Sequence, residues 1–334
     1  MKAVLHFLRV PEWYDSKIPM LLSVPLYFFV LDMPETRRAV LFLLAFFVFL
    51  FAYLSFGYVV NDFSDMEADR KAGKKKLITK IPKPWVAVII ATLILAGALP
   101  MCFYSQFDWK VMLALLVNYF LGASYSLKPL RFKERGIAGL AISSAAQRCT
   151  PLLLLPFLMD TPLLLMIGWQ ALSFLAGLRY ILIHQYKDYE ADVRSGVRTF
   201  ATKHKNTAAT CVYICFAAEV VTTILLAVPL VKQFWWFCVI PVLYTVFAML
   251  AGYAVKKLMQ QSFFLGFTYV PMEDFFNVLL PLSLAALWGW QVRTIGAIVA
   301  FVFLLSYLIT TIRRKGALIL LPLRVKLFGL KPGQ

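Results

Sequence analysis

The sequence predicts an all-helical, polytopic membrane protein with nine or ten transmembrane helices, and three observations support this fold class. The 334 residues are 61% hydrophobic and only 15% charged, with a mean hydropathy of +0.75. Apolar runs long enough to cross a bilayer core of about 30 Å recur along the chain. Lys and Arg residues gather between these runs. This composition excludes a soluble globular domain and a disordered chain.

Ten apolar runs are the predicted membrane spans. The first and ninth are short, and Pro271, Glu273 and Asp274 just before the ninth indicate a bent or partly interfacial element, so nine spans are an alternative to ten. The runs cover about residues 18–31, 39–60, 85–104, 111–127, 137–159, 163–183, 207–230, 235–255, 275–290 and 294–312.

The net charge of +17 follows membrane topology. Eighteen Lys and Arg residues fall in loops after even-numbered spans, against five in loops after odd-numbered spans. Because cytoplasmic loops carry the excess of Lys and Arg, we expect the even-numbered loops to face the cytoplasm. A nucleic-acid-binding protein would instead carry its cations on one basic face of a folded domain, so no nucleic-acid partner is expected.

Acidic residues concentrate in two short stretches. NDFSDMEADRKAG covers residues 61–73 after span two, and DYEADVRSG covers residues 188–196 after span six. They share D-x-E-A-D-x-x-x-G at a constant offset of 123 residues. This offset equals four spans and predicts a four-helix internal pseudo-repeat with both clusters on the cytoplasmic side.

Helical spacing predicts which carboxylates act together, because residues three or four positions apart share a face. One stripe contains Asp62, Asp65 and Asp69, and a second contains Asp188 and Asp192. Facing carboxylate stripes repel unless cations lie between them, and hard oxygen ligands together with phosphates suit Mg²⁺. The pattern predicts a magnesium-bridged diphosphate site.

A simpler interpretation of each cluster is a solvated acidic loop that pairs with Arg70, Lys71 and Arg194. For a single D-x-x-x-D that interpretation would be preferred. Two copies in register at equivalent span ends favour metal and diphosphate binding. Glu67 and Glu190 lie off the two helical faces and are not expected to take part.

A basic segment after span four supplies candidate phosphate ligands. It reads YSLKPLRFKERG over residues 125–136. Arg grips phosphate oxygens with its planar fork, and Lys acts as a point charge. The enrichment of cations in cytoplasmic loops explains the segment equally well, so the residues alone leave both interpretations open.

In combination, these motifs resemble the UbiA superfamily of intramembrane prenyltransferases. The resemblance rests on N-D-x-x-D-x-x-x-D at 61–69, Y-S-x-x-P-x-R-x-K at 125–133 and D-x-x-x-D at 188–192, in that order after spans two, four and six. It covers about residues 9–290 of a single predicted domain, 1–334. Residues 294–334 would add a C-terminal span and a basic tail.

The resemblance implies helices around a central cavity, closed by cytoplasmic helical loops that carry the acidic motifs. It implies that Mg²⁺ and the diphosphate of a polyprenyl donor are held by Asn61, Asp62, Asp65, Asp69, Asp188 and Asp192. Lys128, Arg131 and Lys133 are then expected near the diphosphate, with Tyr125 toward the reacting allylic carbon. The acceptor is expected to be a small molecule, by default an aromatic one.

Ionisation of an allylic diphosphate leaves a carbocation that must be shielded from water, which a lipid-embedded cavity does. A prenyltransferase would pass the cation to the acceptor, whereas a membrane terpene cyclase, the nearest alternative, would quench it internally. A CDP-alcohol phosphotransferase is disfavoured because the sequence lacks its D-G-x-x-A-R string. An ion-coupled transporter is disfavoured because the acids lie at span ends.

Two arginines within the predicted spans, Arg148 and Arg179, are not expected to face lipid. Each has two interpretations that the sequence leaves open. The first is a structural ion pair or a contact with a backbone carbonyl. The second is binding of a diphosphate or of an anionic acceptor.

Overall fold

The computed structural model describes residues 2–71, 76–195, 199–238 and 275–292, and every regular element in these ranges is a helix or helical turn. The chain divides into two compact units, Met1–Gln233 and Phe234–Gln334. Residues 239–255 of the predicted eighth span, the whole tenth span and the C-terminal tail lie outside the described residues, as do Pro271, Glu273 and Asp274. The single domain over 1–334 stays a prediction.

The first unit contains twelve α-helices within the described residues. In chain order they are α1 (Lys2–Phe7), α2 (Val10–Trp13), α3 (Ile18–Leu31), α4 (Thr36–Lys71), α5 (Lys83–Tyr104), α6 (Trp109–Ser126), α7 (Ile137–Ser144), α8 (Leu155–Leu158), α9 (Leu163–Lys187), α10 (Tyr189–Ser195), α11 (Phe200–Lys203) and α12 (Lys205–Gln233). In the second unit, a short 3₁₀ turn covers Trp235–Cys238, and a π-helical turn, Phe275–Leu279, precedes α13 (Leu280–Val292).

Six helical segments of the described residues are long and apolar enough to cross a membrane, which confirms the all-helical membrane class. They are Thr36–Glu67, Lys83–Tyr104, Ile137–Leu158, Leu163–Lys187, Lys205–Gln233 and Phe275–Val292. Helix α3 is apolar but shorter, as expected for the first predicted span. The total of nine or ten spans stays a prediction.

Helix α4 is fixed along its length by a ladder of aromatic side chains. The rings of Phe42, Phe46, Phe49, Tyr53 and Phe56 follow one another at three- and four-residue spacing, with centroids 5.4 to 6.5 Å apart. On α6, Tyr119 packs edge-on against the last two rings, with centroids 5.6 and 5.0 Å away. This packing sets the rotation of α4, and therefore the direction in which its acidic end faces.

The fifth span is not a regular α-helix. After α7 it passes through a π-helical segment, Ala145–Cys149, and a 3₁₀ segment, Thr150–Leu154. Pro151 lacks the N–H that a regular helix would donate to the carbonyl four residues earlier. Side chains of neighbouring helices bind carbonyls in this region: the Tyr53 hydroxyl donates to Ala146 O at 2.6 Å, and Asn118 Nδ2 donates to Thr150 O at 2.9 Å. Such π segments are frequent at functional sites.

Helices α9 and α12 are joined by a buried ion pair. Arg179 Nε donates to Glu219 Oε1 at 2.6 Å, and both side chains are fully buried. An unpaired charge at this buried site would destabilise the fold, and each residue compensates the charge of the other. For Arg179, the structure therefore supports the interpretation as a structural ion pair.

Helix α7 approaches α9 closely at Gly177. A Cβ at this position would overlap Ser144 Oγ and lie 3.2 Å from Ser144 Cα. The Ser144 hydroxyl donates to Phe174 O at 2.6 Å, so it cannot move away without losing that bond. A glycine is required here to bring the two helices together.

We expect Gly177→Ala to destabilise the protein by about 1–3 kcal/mol, the usual cost of overpacking. Thermal unfolding in detergent, followed by circular dichroism, should show a midpoint several degrees below that of the wild type. The matched control is Gly57→Ala, because nothing lies within 4 Å of a Cβ built on Gly57. Equal midpoints for the two variants would contradict the close α7–α9 packing.

Candidate functional site

The first acidic cluster occupies the last turns of α4, and an apolar contact holds it in place. Val59 and Met66 on α4 pack with Ile78 and Val86, which lie in the 3₁₀ turn Leu77–Lys80 and at the start of α5. The acidic residues alternate with these apolar positions at helical spacing. Three- and four-residue spacing puts Asp62 and Asp69 on the same side of α4 as Val59 and Met66, and both aspartates are buried there, whereas Asp65 lies farther round the helix.

Asp65 joins the acidic cluster to the basic segment after α6. Lys133 Nζ lies 2.7 and 2.8 Å from the two carboxylate oxygens of Asp65, and Arg131 Nη2 donates to Asp65 Oδ1 at 3.1 Å. Lys133 Nζ also donates to Asn61 Oδ1 at 3.0 Å, and Ser126 Oγ donates to the same oxygen at 2.9 Å. The structure thus brings together two motifs that lie about 65 residues apart in the sequence.

Asp62 and Asp69 share a single cation. Lys76 Nζ lies 2.7 Å from Asp62 Oδ1 and 2.7 Å from Asp69 Oδ2. Arg9, between α1 and α2, donates from Nη1 to Asp62 Oδ1 at 3.1 Å and forms two 2.6 Å bonds with Glu12. Sequence reasoning missed both Arg9 and Lys76, because one is a solitary cation near the N-terminus and the other ends an ordinary basic run.

The two lysines of the cluster differ in the balance between burial and charge. Burial lowers the pKa of Lys133, and its hydrogen bonds to Asp65 offset only part of that effect. Burial acts on Lys76 in the same direction, but the hydrogen bonds to Asp62 and Asp69 outweigh it and raise its pKa. An additional anion near Lys133 would therefore stabilise the charged form of that side chain.

Tyr125 and Lys128, the other two residues predicted to act in this motif, differ in their contacts and in their exposure. The Tyr125 hydroxyl hydrogen-bonds Ser143 on α7 and lies close enough to Asp65 to interact electrostatically. Lys128 is exposed and forms no hydrogen bond or ion pair with the residues that the structure describes. Their predicted roles, near the allylic carbon and near the diphosphate, stay predictions.

The second acidic cluster lies where α9 ends and α10 begins. The backbone N–H of Asp192 donates to Asp188 O at 2.8 Å, so the two carboxylates are one turn apart, as predicted. His184 Nδ1 lies 3.1 Å from Asp188 Oδ2. Burial and the nearby charge of Asp188 raise the pKa of Asp192, although a hydrogen bond with Thr199 opposes this shift. A bound cation would relieve the repulsion between the two carboxylates.

The chemistry of both clusters fits a hard cation, although no group of three His, Cys, Asp or Glu side chains within the described ranges is arranged to hold a metal ion. The ammonium of Lys76 shows that Asp62 and Asp69 can share one cation. Carboxylate oxygens are also the ligands that Mg²⁺ prefers. Metal binding by Asp62, Asp65, Asp69, Asp188 and Asp192 therefore stays a prediction that the donor set supports.

Comparison with known proteins identifies the class. The UbiA prenyltransferase family matches residues 21–268, so the chain belongs to this family and is an integral membrane prenyltransferase. This result confirms the resemblance read from the motifs. No curated protein matches the sequence.

Solved structures share the fold at low sequence identity. A digeranylgeranylglyceryl phosphate synthase superposes with a TM-score of 0.55 at 16% identity, over 89% of this chain and 99% of that chain. A UbiA homologue from Archaeoglobus fulgidus bound to DMAPP and Mg²⁺ gives 0.54 at 13% identity, over 85% of this chain and 98% of that chain. The same homologue bound to GPP and Mg²⁺ gives 0.53 at 14% identity, over 90% and 99%.

We expect Asp65→Asn and Asp188→Asn each to lower diphosphate release from a polyprenyl diphosphate by about a hundredfold or more, because each would remove a charge predicted to hold the metal and the diphosphate. The controls Glu67→Gln and Glu190→Gln should have little effect. Glu67 is exposed and pairs with exposed Lys83, and Glu190 is also exposed. Losses of equal size at all four positions would show that the clusters act only as negative patches.

Proposed function

We propose that the protein is a Mg²⁺-dependent intramembrane prenyltransferase that ionises a polyprenyl diphosphate and transfers the prenyl group to a small-molecule acceptor. One observation carries the proposal. The carboxylates at the end of α4 are gathered with four basic side chains: Lys76 just after α4, and Arg9, Arg131 and Lys133 from distant parts of the chain. This mixture of acids for cations and of bases for phosphate oxygens suits a diphosphate leaving group.

In the structure the basic side chains pair with carboxylates. When a diphosphate is bound, the same side chains would bind its oxygens instead. Lys133 and Arg131 contact Asp65, and their donors suit phosphate oxygens equally well. When bound by Asp62, Asp65, Asp69, Asp188 and Asp192, Mg²⁺ would act as a Lewis acid toward the leaving diphosphate. The surrounding apolar helices would keep water away from the allylic cation.

The donor and the acceptor are supported to different degrees. The related homologue structures contain DMAPP or GPP with Mg²⁺, which supports a prenyl diphosphate donor. We propose an aromatic acceptor as the default class.

The test is to incubate the purified protein and Mg²⁺ with geranyl, farnesyl or geranylgeranyl diphosphate, with and without an acceptor pool extracted from membranes. A prenylated acceptor identified by mass would support the proposal, whereas a cyclised hydrocarbon made without acceptor would indicate a terpene cyclase.

The metal requirement gives a direct prediction. Because clustered carboxylates repel a diphosphate unless cations intervene, stripping metal with EDTA should abolish diphosphate release, and excess Mg²⁺ should restore it. The measurement is phosphate detection with a coupled pyrophosphatase, added after the enzyme reaction has been stopped and Mg²⁺ resupplied. Full turnover in excess EDTA would contradict the metal-bridged site.

We also propose that nine or ten spans, in two four-helix repeats, place both acidic clusters at the cytoplasmic side of a central cavity. Single cysteines at Lys83 and Arg194, in a cysteine-free background, should then react with an impermeant thiol reagent only from the cytoplasm. Cysteines at Lys110 and Lys232 should react only from the other side. All four native side chains are exposed. If the cysteines at positions 83 and 194 were labelled from opposite sides of the membrane, the proposal that both acidic clusters face one cavity would be wrong.

A further inference from the structure

Two tyrosines border the turn that carries the second acidic cluster. Tyr186 lies in the last turn of α9 and Tyr189 is the first residue of α10, so the two stand on either side of Asp188. Both tyrosines are partly buried, whereas Asp188 is exposed. The two rings are therefore the surfaces by which another part of the chain can hold this turn.

Lys205 contacts both rings. Its Nζ lies 4.0 Å from the centre of the Tyr189 ring and 5.8 Å from the centre of the Tyr186 ring. An ammonium group at such distances is attracted to the electron-rich face of an aromatic ring. One cation thus joins the last turn of α9 to the first turn of α10, across the point at Asp188 where the first helix ends.

The position of Lys205 in its own helix needs a physical reason. Lys205 is the first residue of α12, where the partial positive charge of the helix N-terminus disfavours a cation. The side chain is exposed, and no carboxylate in the described parts of the chain forms an ion pair with it. The faces of Tyr186 and Tyr189 are the partners that favour its charge at this place.

Helix α12 is a rigid support for this contact. The buried ion pair of Arg179 and Glu219 fixes α12 against α9. Closer to the start of α12, the side chains of Ala208 and Val212 are fully buried. The first turn of α12 therefore has a fixed position relative to the end of α9, and Lys205 attaches the turn at Asp188 to it.

The other described contacts of α10 are local. Arg194 Nε donates to Glu190 O at 3.2 Å within the helix, and Thr199, seven residues along the chain, hydrogen-bonds Asp192. Val193 is 52% exposed, so apolar burial holds this helix only weakly. Local hydrogen bonds do not fix α10 against the long helices, whereas the contact with Lys205 does.

We propose that Lys205 is a positioning residue for the second acidic cluster. Its ammonium, placed against Tyr186 and Tyr189, holds Asp188 and Asp192 in the arrangement that binds the metal ion. The proposal rests on the proposed function, because that function gives the two aspartates their role. Lys205 acts through the two rings and does not touch the substrate.

The first test measures amide hydrogen exchange by mass spectrometry in the full-length protein in detergent, without metal. In peptides that cover residues 186–195, Lys205→Met should raise the exchange rate about fivefold, the scale of an exposed cation–π contact. Lys205→Arg should keep the wild-type rate, because a guanidinium also stacks on aromatic rings. The matched control is Lys203→Met, since Lys203 is an exposed lysine on α11 that lies over neither tyrosine.

Variants of Tyr189 test whether the ring is the partner. Tyr189→Phe keeps the aromatic face and should exchange like the wild type, whereas Tyr189→Leu should match Lys205→Met. Combining Lys205→Met with Tyr189→Leu should add nothing further, because both changes remove one contact. Wild-type exchange in Tyr189→Leu, or a double variant with the product of the two separate effects, would overturn the proposal.

The second test measures binding of Mn²⁺, a paramagnetic probe for the Mg²⁺ site, by electron paramagnetic resonance. Loss of a nearby positive charge would by itself tighten the binding of a cation. Loss of a positioning contact should instead weaken it, so Lys205→Met should lower the Mn²⁺ affinity about fivefold while Lys205→Arg and Lys203→Met keep it. Unchanged or tighter binding in Lys205→Met would overturn the proposal.

The two tests separate this proposal from the proposed function. If the wild type bound no Mn²⁺, the metal-dependent function would fail, and the exchange measurements would still decide whether Lys205 holds the turn. Unchanged exchange in Lys205→Met would overturn the positioning role even if Mn²⁺ bound to the wild type. If Lys205→Met does not fold, as judged by gel filtration, the comparison of Tyr189→Leu with Tyr189→Phe decides the question in both tests.

Discussion

The repulsion among carboxylates at the end of α4 is the constraint on which the rest of the site depends. Asp62, Asp65 and Asp69 lie within two turns of one helix, and their side chains are between 6% and 27% exposed. Charges packed this closely are tolerated only with compensation. The compensating charges come from Lys76, Arg9, Arg131 and Lys133. The electrostatic balance therefore ties to α4 the turn just after it and two distant parts of the chain.

That balance requires α4 to be held firmly in depth and rotation. The aromatic ladder from Phe42 to Phe56 fixes the helix against α6, and the contacts of Val59 and Met66 fix its acidic end against the start of α5. Asp62 and Asp69 lie on the same side of α4 as Val59 and Met66 and are themselves buried. The packing of α4 therefore places Asp62 and Asp69 beside Lys76 and leaves Asp65 to contact the basic segment.

The two buried arginines of the spans differ in how their charge is balanced. The pair of Arg179 and Glu219 is internally neutral and joins two helices, whereas Arg148 is balanced only by a carbonyl, a thioether and an aromatic ring. The first arrangement is sufficient to explain a structural role. Arg148 lies in the π-helical segment Ala145–Cys149, just before Pro151.

The sequence by itself determined the membrane class, the positions of five spans in the first unit and the grouping of Asp62, Asp65 and Asp69, because these features depend on hydrophobicity and on helical periodicity within one segment. It also identified the family, since the three motifs occur in a specific order. Only the tertiary structure decided that Arg9 and Lys76 join the acidic cluster and that Arg179 has a buried partner while Arg148 has none. Lys76 lies in the turn beyond α4, and the other contacts join residues far apart in the chain. Periodicity along one helix carries no information about which segment packs against it.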